Sequence, residues 1–223
     1  MGLSFHYKGR LINAAQLPQL VAEVEDICGI IGWKVNVFES EYPEGKFVSP
    51  IDKNEYGILF SPPNCDPVSL VFDSEGRIYT PWMKEILIKH EAGEVKVITV
   101  KINLDDENPT PEFSEEMEDF DPLDLVYSIS VKSQFSGAES HVKLMELLRY
   151  LSEKYLTEFQ MHDESDYWNT RNADKLHEKM NKINQFMDTF HDMIEGQNIK
   201  SPKEFIEFLK LLGKQIKKKD QGE

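Results

Sequence analysis

The chain opens on an alternation in which Phe5 and Tyr7 are apolar and Ser4, His6 and Lys8 are polar. A period of two predicts a strand with one face buried. From Pro18 the period changes, and Leu20, Val21, Val24, Ile27 and Ile31 recur at helical spacing as far as Gly32. Proline suits a first helical turn and glycine a stop, so an amphipathic helix of about four turns is expected between them. Val35 and Val37 return to period two. Three β-like runs follow, Tyr56 to Phe60, Val68 to Phe72 and Arg77 to Tyr79, and the last two flank the hairpin sequence Asp73-Ser74-Glu75-Gly76. Glu94 to Leu104 carries apolar residues in both registers, which predicts a long strand covered on both faces.

The opening pattern then returns. Placing Ser4 over Ser128 without gaps puts Phe5 on Ile129, Tyr7 on Val131, Leu20 on Leu144, Val24 on Leu148 and Val37 on Met161. What the two stretches share is the strand-helix-strand pattern rather than identity, and any two such units with equal loops would align similarly. Further on, Leu176, Met180, Ile183, Met187, Phe190 and Ile194 step as a heptad seam. Phe205, Phe208, Leu209 and Leu212 form a second stripe behind Ser201, an N-cap with Glu204 three residues on. The expected fold is α+β: a mostly antiparallel sheet built from two similar strand-helix-strand halves, helices on one face, and a C-terminal helical hairpin. Residues 1–104 form the first half, 105–124 a connector, 125–168 the second half sharing the sheet, and 169–223 the hairpin with its basic tail. The seam is expected to pack within the chain, leaving a monomer or a weak dimer.

Charge changes this picture at one place. Forty acidic residues against 25 basic ones give a net −15 and disfavour nucleic acid and anionic membranes as partners. Ten of the acidic residues and a single basic one, Lys101, lie within 101–131, where Pro109, Pro111 and Pro122 also interrupt regular structure. That is why a connector is placed there. An apolar content of 40% with 11% aromatics supports a folded core. Two cysteines, Cys28 and Cys65, make no disulfide framework and point to a reducing compartment. The start Met-Gly-Leu-Ser-Phe-His is no secretory signal, and no run approaches the ~18 apolar residues of a membrane span, so a cytoplasmic protein is expected.

Short chemical signatures are absent: there is no Gly-rich phosphate loop, nucleophile elbow, His-Glu-x-x-His or Cys-x-x-Cys. No cofactor is expected. The best residual cluster follows the strand of Phe159 and Met161, where His162, Asp163, Glu164 and Asp166 are candidate ligands of a divalent ion. The competing reading is a polar turn, because alternate residues of a strand point apart. His90 and His141 have no partner at ligand spacing and read as structural. Cys65, beside Asp66 and no cation, reads as a loop thiol.

Two surfaces suit a protein partner. If Phe5 and Tyr7 face inward, then His6, Lys8, Arg10 and Lys132 form a polar, basic patch on the other face. In the acidic stretch, Glu115, Glu116, Glu118 and Asp119 surround Phe113 and Phe120, a pattern that can dock on a basic or apolar groove. The expected function is therefore a non-catalytic interaction or regulatory protein with a basic protein partner. The alternative is a divalent-metal hydrolase with its site near His162.

Overall fold

The computed structural model describes residues 3–50, 52–94, 99–101, 112–114 and 126–195. The chain divides into two compact units, 1–95 with 119–183, and 96–118 with 184–223. In chain order the elements are β1 (Ser4–Leu11), α1 (Leu17–Ile31), β2 (Lys34–Val37), β3 (Tyr56–Ser61), β4 (Val68–Phe72) and α2 (Pro81–Glu91). They continue with β5 (Thr99–Lys101), β6 (Glu112–Ser114), β7 (Ile129–Lys132), α3 (Ala138–Tyr155), β8 (Leu156–Asp163), α4 (Tyr167–Thr170) and α5 (Ala173–Glu195). The fold mixes helix and strand, with two three-stranded antiparallel sheets ordered β7-β1-β8 and β2-β3-β4.

Both sheets belong to the first unit and are stitched together along β1. The stretch after the 73–76 turn lies against β1, with Ile78 N–H donating to Gly9 O at 3.0 Å and Leu11 N–H to Gly76 O at 2.8 Å. Asp66 N–H donates to Lys132 O at 3.2 Å. These bonds satisfy backbone groups that a sheet edge would otherwise leave open.

The strand period is realised in β1, where Phe5, Tyr7 and Leu11 are buried while Lys8 is exposed. Helix α1 buries Leu17, Leu20, Val21, Val24 and Cys28, and ends where Gly32 takes φ 75°, donating its N–H to Cys28 O. That left-handed cap is favourable for a residue without Cβ. Leu144, Met145, Leu148 and Leu151 of α3 join the same core as Phe5, Tyr7, Ile58 and Phe60. Between the helices, Lys154 of α3 pairs with Glu23 of α1 at 2.5 Å, and Tyr150 Oη donates to the same carboxylate at 3.0 Å. The Lys154 hydrogen bond holds the Glu23 carboxyl below its ordinary value. Leu176 and Met180, the first two residues of the heptad seam, enter this core. On the opposite face of β3 and β4 a small second cluster gathers Val71, Tyr79 and Val126, with Phe38, Leu59 and Tyr127 against it.

The hairpin sequence at 73–76 owes its shape to one carboxylate. Asp73 Oδ1 accepts from the N–H groups of Glu75 and Arg77, each at 2.9 Å, while Oδ2 takes Arg77 Nε at 2.8 Å and Tyr127 Oη at 3.1 Å. The guanidinium also lies 4.4 Å from the centre of the Tyr127 ring. Four donors thus satisfy the oxygens of this buried carboxylate.

Two elements differ from the sequence expectation. Helix α2 was not among the expected elements, although Trp82, Met83, Ile86 and Leu87 stand at helical spacing behind Pro81, and its Trp82, Ile86 and Ile88 are exposed. The connector is not wholly irregular, since β6 pairs with β5, the described part of the long strand expected over 94–104. The second apolar stripe at 205–212 lies outside the described residues.

Candidate functional site

The alternation of β8 decides where its chemistry goes, and a bulge sets the phase. Lys8 stands opposite Gln160 but Arg10 opposite Thr157, so Glu158 and Phe159 together face Gly9. Glu158 takes φ 54° at this point. Gly9 is fitted to the crowding, because a Cβ there would meet Phe159 Cδ2 at 3.1 Å and Ile78 Cδ1 at 3.5 Å. One extra residue reverses which face every later side chain takes. Leu156 points inward, and strict alternation from it would send Asp163 outward and His162 inward. With the bulge, Asp163 is buried and His162 is exposed.

The four candidate ligands of the sequence reading are therefore divided. His162 lies on the open face, its ring stacked on His6 with centres 6.0 Å apart. Glu164 and Asp166 are exposed, and Glu164 Oε1 stands 3.7 Å from His6 Nε2. Asp163 turns into the core. Among the described residues no three His, Cys, Asp or Glu side chains converge as a metal site.

Inside, Asp163 meets residues that spacing alone did not connect. Its Oδ2 accepts from Ser165 Oγ at 2.7 Å and Trp168 N at 3.0 Å, its Oδ1 from Ser165 N at 2.9 Å, and His141 Nε2 lies 3.4 Å away. On its other side His141 Nδ1 is 2.8 Å from Ser133 Oγ, and Nε2 is 3.1 Å from Ser165 Oγ. Both ring nitrogens are engaged, Nδ1 with Ser133 Oγ and Nε2 with Ser165 Oγ and Asp163 Oδ2. Burial would raise the Asp163 carboxyl, but hydrogen bonds from His141 and Ser165, with the His141 charge and the Trp168 N–H, bring it down to about 2.

Serine, imidazole and carboxylate in line have the composition of a hydrolytic triad, but this set has no approach for a substrate. The side chains of His141 and Asp163 are both 0% exposed, and Phe5 and Tyr167 close on the imidazole edge-on. The network instead fastens chain segments to one another. Ser133 N–H donates to Leu3 O, the neighbouring Gln134 Oε1 accepts from Leu3 N at 3.1 Å, and Gln134 Nε2 reaches Met180 O at 3.4 Å. It thus ties the start of β1, the end of β7, α3, β8, α4 and α5 at one point.

The open face keeps the remaining sequence candidates together. Lys8 is exposed, and His6, Arg10 and Lys132 are partly so. Ser4 is opposite Lys132 on β7, and His6 is opposite Ser130 on β7 and His162 on β8. Arg10 Nε donates to Glu75 O at 3.0 Å, and Lys132 Nζ sits 5.1 Å from the Phe135 ring centre. Of the acidic candidates, Glu115, Glu116, Glu118, Asp119 and Phe120 lie outside the described residues. Phe113 is opposite Val100 in the β5-β6 pair.

Cys65 is a poor nucleophile: burial, helped by the Asp66 charge, pushes its thiol up to about 12. No helix among the described residues is long and apolar enough to cross a membrane. No family model, curated protein or solved structure matches the chain.

Proposed function

We propose that this is a non-catalytic protein-interaction protein, acting in the cytoplasm, that holds a basic protein partner through its own acidic charge. The observation that carries the reading is the charge itself, a net −15 with ten carboxylates and one cation in residues 101–131. Such a field speeds encounter with a cationic partner and loses strength as salt screens it. The closed His141 network supports the non-catalytic half of the reading, because the serine and imidazole that could do acyl chemistry are engaged with one another inside the core.

The same reading takes 1–104 and 125–168 as two similar strand-helix-strand halves. Superposing Ser4 on Ser128 makes Phe5 the counterpart of Ile129 and Tyr7 that of Val131. In the sheet they pair crosswise, Phe5 with Val131 and Tyr7 with Ile129, and His6 stands opposite its own counterpart Ser130. That is the register a twofold relation between the halves would give. The inserted β3-β4 hairpin makes the difference between them, since β8 pairs directly with β1 while β2 pairs with β3.

The test is a titration of a labelled twelve-residue lysine-rich peptide into the full chain at two salt concentrations. It is repeated on a variant combining Glu115→Gln, Glu116→Gln, Glu118→Gln and Asp119→Asn. Binding should weaken with salt and weaken again in the variant, the melt of both proteins being recorded alongside. Equal affinities for the two proteins would remove the acidic stretch from the mechanism. A melt raised by zinc or manganese, together with phosphoester or peptide hydrolysis, would instead favour the metal hydrolase.

A further inference from the structure

Antiparallel pairing sets two histidines side by side on the open face of the β7-β1-β8 sheet. His6 of β1 is opposite His162 of β8, in the regular stretch past the bulge, and opposite Ser130 of β7 on its other side. Directly opposed side chains on one face have Cβ atoms about 4.5–5.5 Å apart. The two imidazoles lie with ring centres 6.0 Å apart and planes 22° from parallel. His162 is exposed and His6 partly so. Among the described residues no other two imidazoles are in ring contact. The pair keeps His162 from the cluster expected on sequence grounds and replaces Asp163, which is buried, by a residue of another strand.

A carboxylate stands beside the pair. Glu164 Oε2 accepts from Ser4 N–H at 2.8 Å, which holds the side chain over the start of β1, and its Oε1 lies 3.7 Å from His6 Nε2. A carboxylate beside one ring nitrogen orients an imidazole and leaves the other nitrogen to a metal ion, as around most metal-ligating histidines. Zn–N bonds of ~2.1 Å at a tetrahedral angle put the centres of two ligating rings roughly 5 Å apart, so this pair has to close by about 1 Å. Its rings must also turn toward a common point, a rotamer motion that solvent-facing side chains make freely.

We propose that His6 and His162 form an exchangeable site for a divalent transition ion of the zinc class, with water or an incoming ligand in the remaining positions. Imidazole selects Zn²⁺, Ni²⁺ or Cu²⁺ over Mg²⁺ and Ca²⁺, which take oxygen donors. Two protein ligands, with Glu164 orienting His6 rather than joining as a third, accord with the lack of any three-ligand group among the described residues. A closed structural zinc would need four, so this ion is held by the folded sheet and does not build it. Lys8 shares the face, opposite Gln160, and repels a cation, while the net −15 of the chain draws cations toward the protein.

The site is separate from the acidic stretch, so it can fail or hold independently of the basic-partner reading. The probe is zinc chloride, titrated by calorimetry into the metal-stripped full chain in millimolar magnesium, which occupies carboxylates without competing for imidazole. Zinc should bind at one site per chain, and the side-chain resonances of His6 and His162 should shift together. His6→Ala and His162→Ala should each weaken binding at least tenfold, while His90→Ala and His177→Ala leave it unchanged. His6→Gln and His162→Gln serve in place of an alanine variant that does not fold. Binding is expected without phosphoester or peptide hydrolysis, which separates this site from a metal hydrolase. The idea is overturned if magnesium abolishes zinc binding, which would assign it to carboxylates, or if both variants bind as the unaltered chain does. It is equally overturned if only one of the two histidines matters, since a single imidazole is not this site.

Discussion

His162 and Asp163 are neighbours in sequence and opposites in circumstance. His162 stands in the open, its ring stacked on that of His6. Asp163 is enclosed by donors from Ser165, Trp168 and His141. Both are polar, and both were read as members of one cluster. The contrast teaches that on a strand the face is worth more than proximity in sequence, and that a single bulge can decide the face.

Substitutions on the two sides should therefore differ by several kcal/mol. The largest effect is expected from Asp163→Ala, which leaves the Ser165 and Trp168 donors without their acceptor and His141 Nε2 with Ser165 Oγ alone, at a cost of about 3–5 kcal/mol. Denaturant unfolding would measure it, and a loss below ~1 kcal/mol would mean that water enters the network. His141→Leu should follow at about 2–3 kcal/mol, since it orphans Ser133 and removes one donor to the carboxylate.

The acid response sharpens the comparison. A carboxyl whose folded value is about 2, against an ordinary 3.8, contributes stability in full above the unfolded value and loses it as pH falls through the folded one. The chain should therefore lose on the order of 2 kcal/mol between pH 5 and pH 2 through this group. The pH slope should be shallower in Asp163→Asn, and an unchanged slope would assign acid sensitivity to other carboxylates.

A smaller effect is expected at Tyr7, whose hydroxyl donates to Ser69 O at 2.7 Å from within the core. Burial drives its phenol above its ordinary value. Tyr7→Phe should cost about 1 kcal/mol by the net worth of one buried hydrogen bond. The smallest belongs to the open face: His162→Ala should change the melt by no more than ~0.5 kcal/mol, as exposed positions do. A larger loss would show that the His6 stack contributes to folding and is not free for a partner.

Much of the scaffold was written in local pattern. The period of two placed Phe5 and Tyr7 inward, the helical period with Pro18 and Gly32 bounded α1 to within a residue, and Asp73-Ser74-Glu75-Gly76 announced its turn. Such signals survive because each residue's fate depends on neighbours a few positions away. Helix α2 escaped although Trp82, Met83, Ile86 and Leu87 stand at helical spacing behind Pro81, a stripe of little more than one turn that Ile88 on the opposite side blurs. His141 escaped for another reason. Its partners lie 8, 22 and 24 residues away, at Ser133, Asp163 and Ser165, and no spacing rule joins them. The signal that could have been noticed is Asp163-Glu164-Ser165, where an aspartate two residues before a serine can turn back on its own backbone.

By itself, then, the sequence determined the alternation of strand and helix, the acidic balance and the concentration of that acid in one stretch, all of them properties of residue types and short distances along the chain. Tertiary structure alone decided that β8 is bulged, that Asp163 and His141 meet in the core, and that His6 and His162 stack on the open face. The reason is that register and burial are set by how distant segments compete for the same space. A one-residue slip at Glu158, forced where Phe159 crowds Gly9, changes the exposure of every side chain beyond it without altering any local pattern.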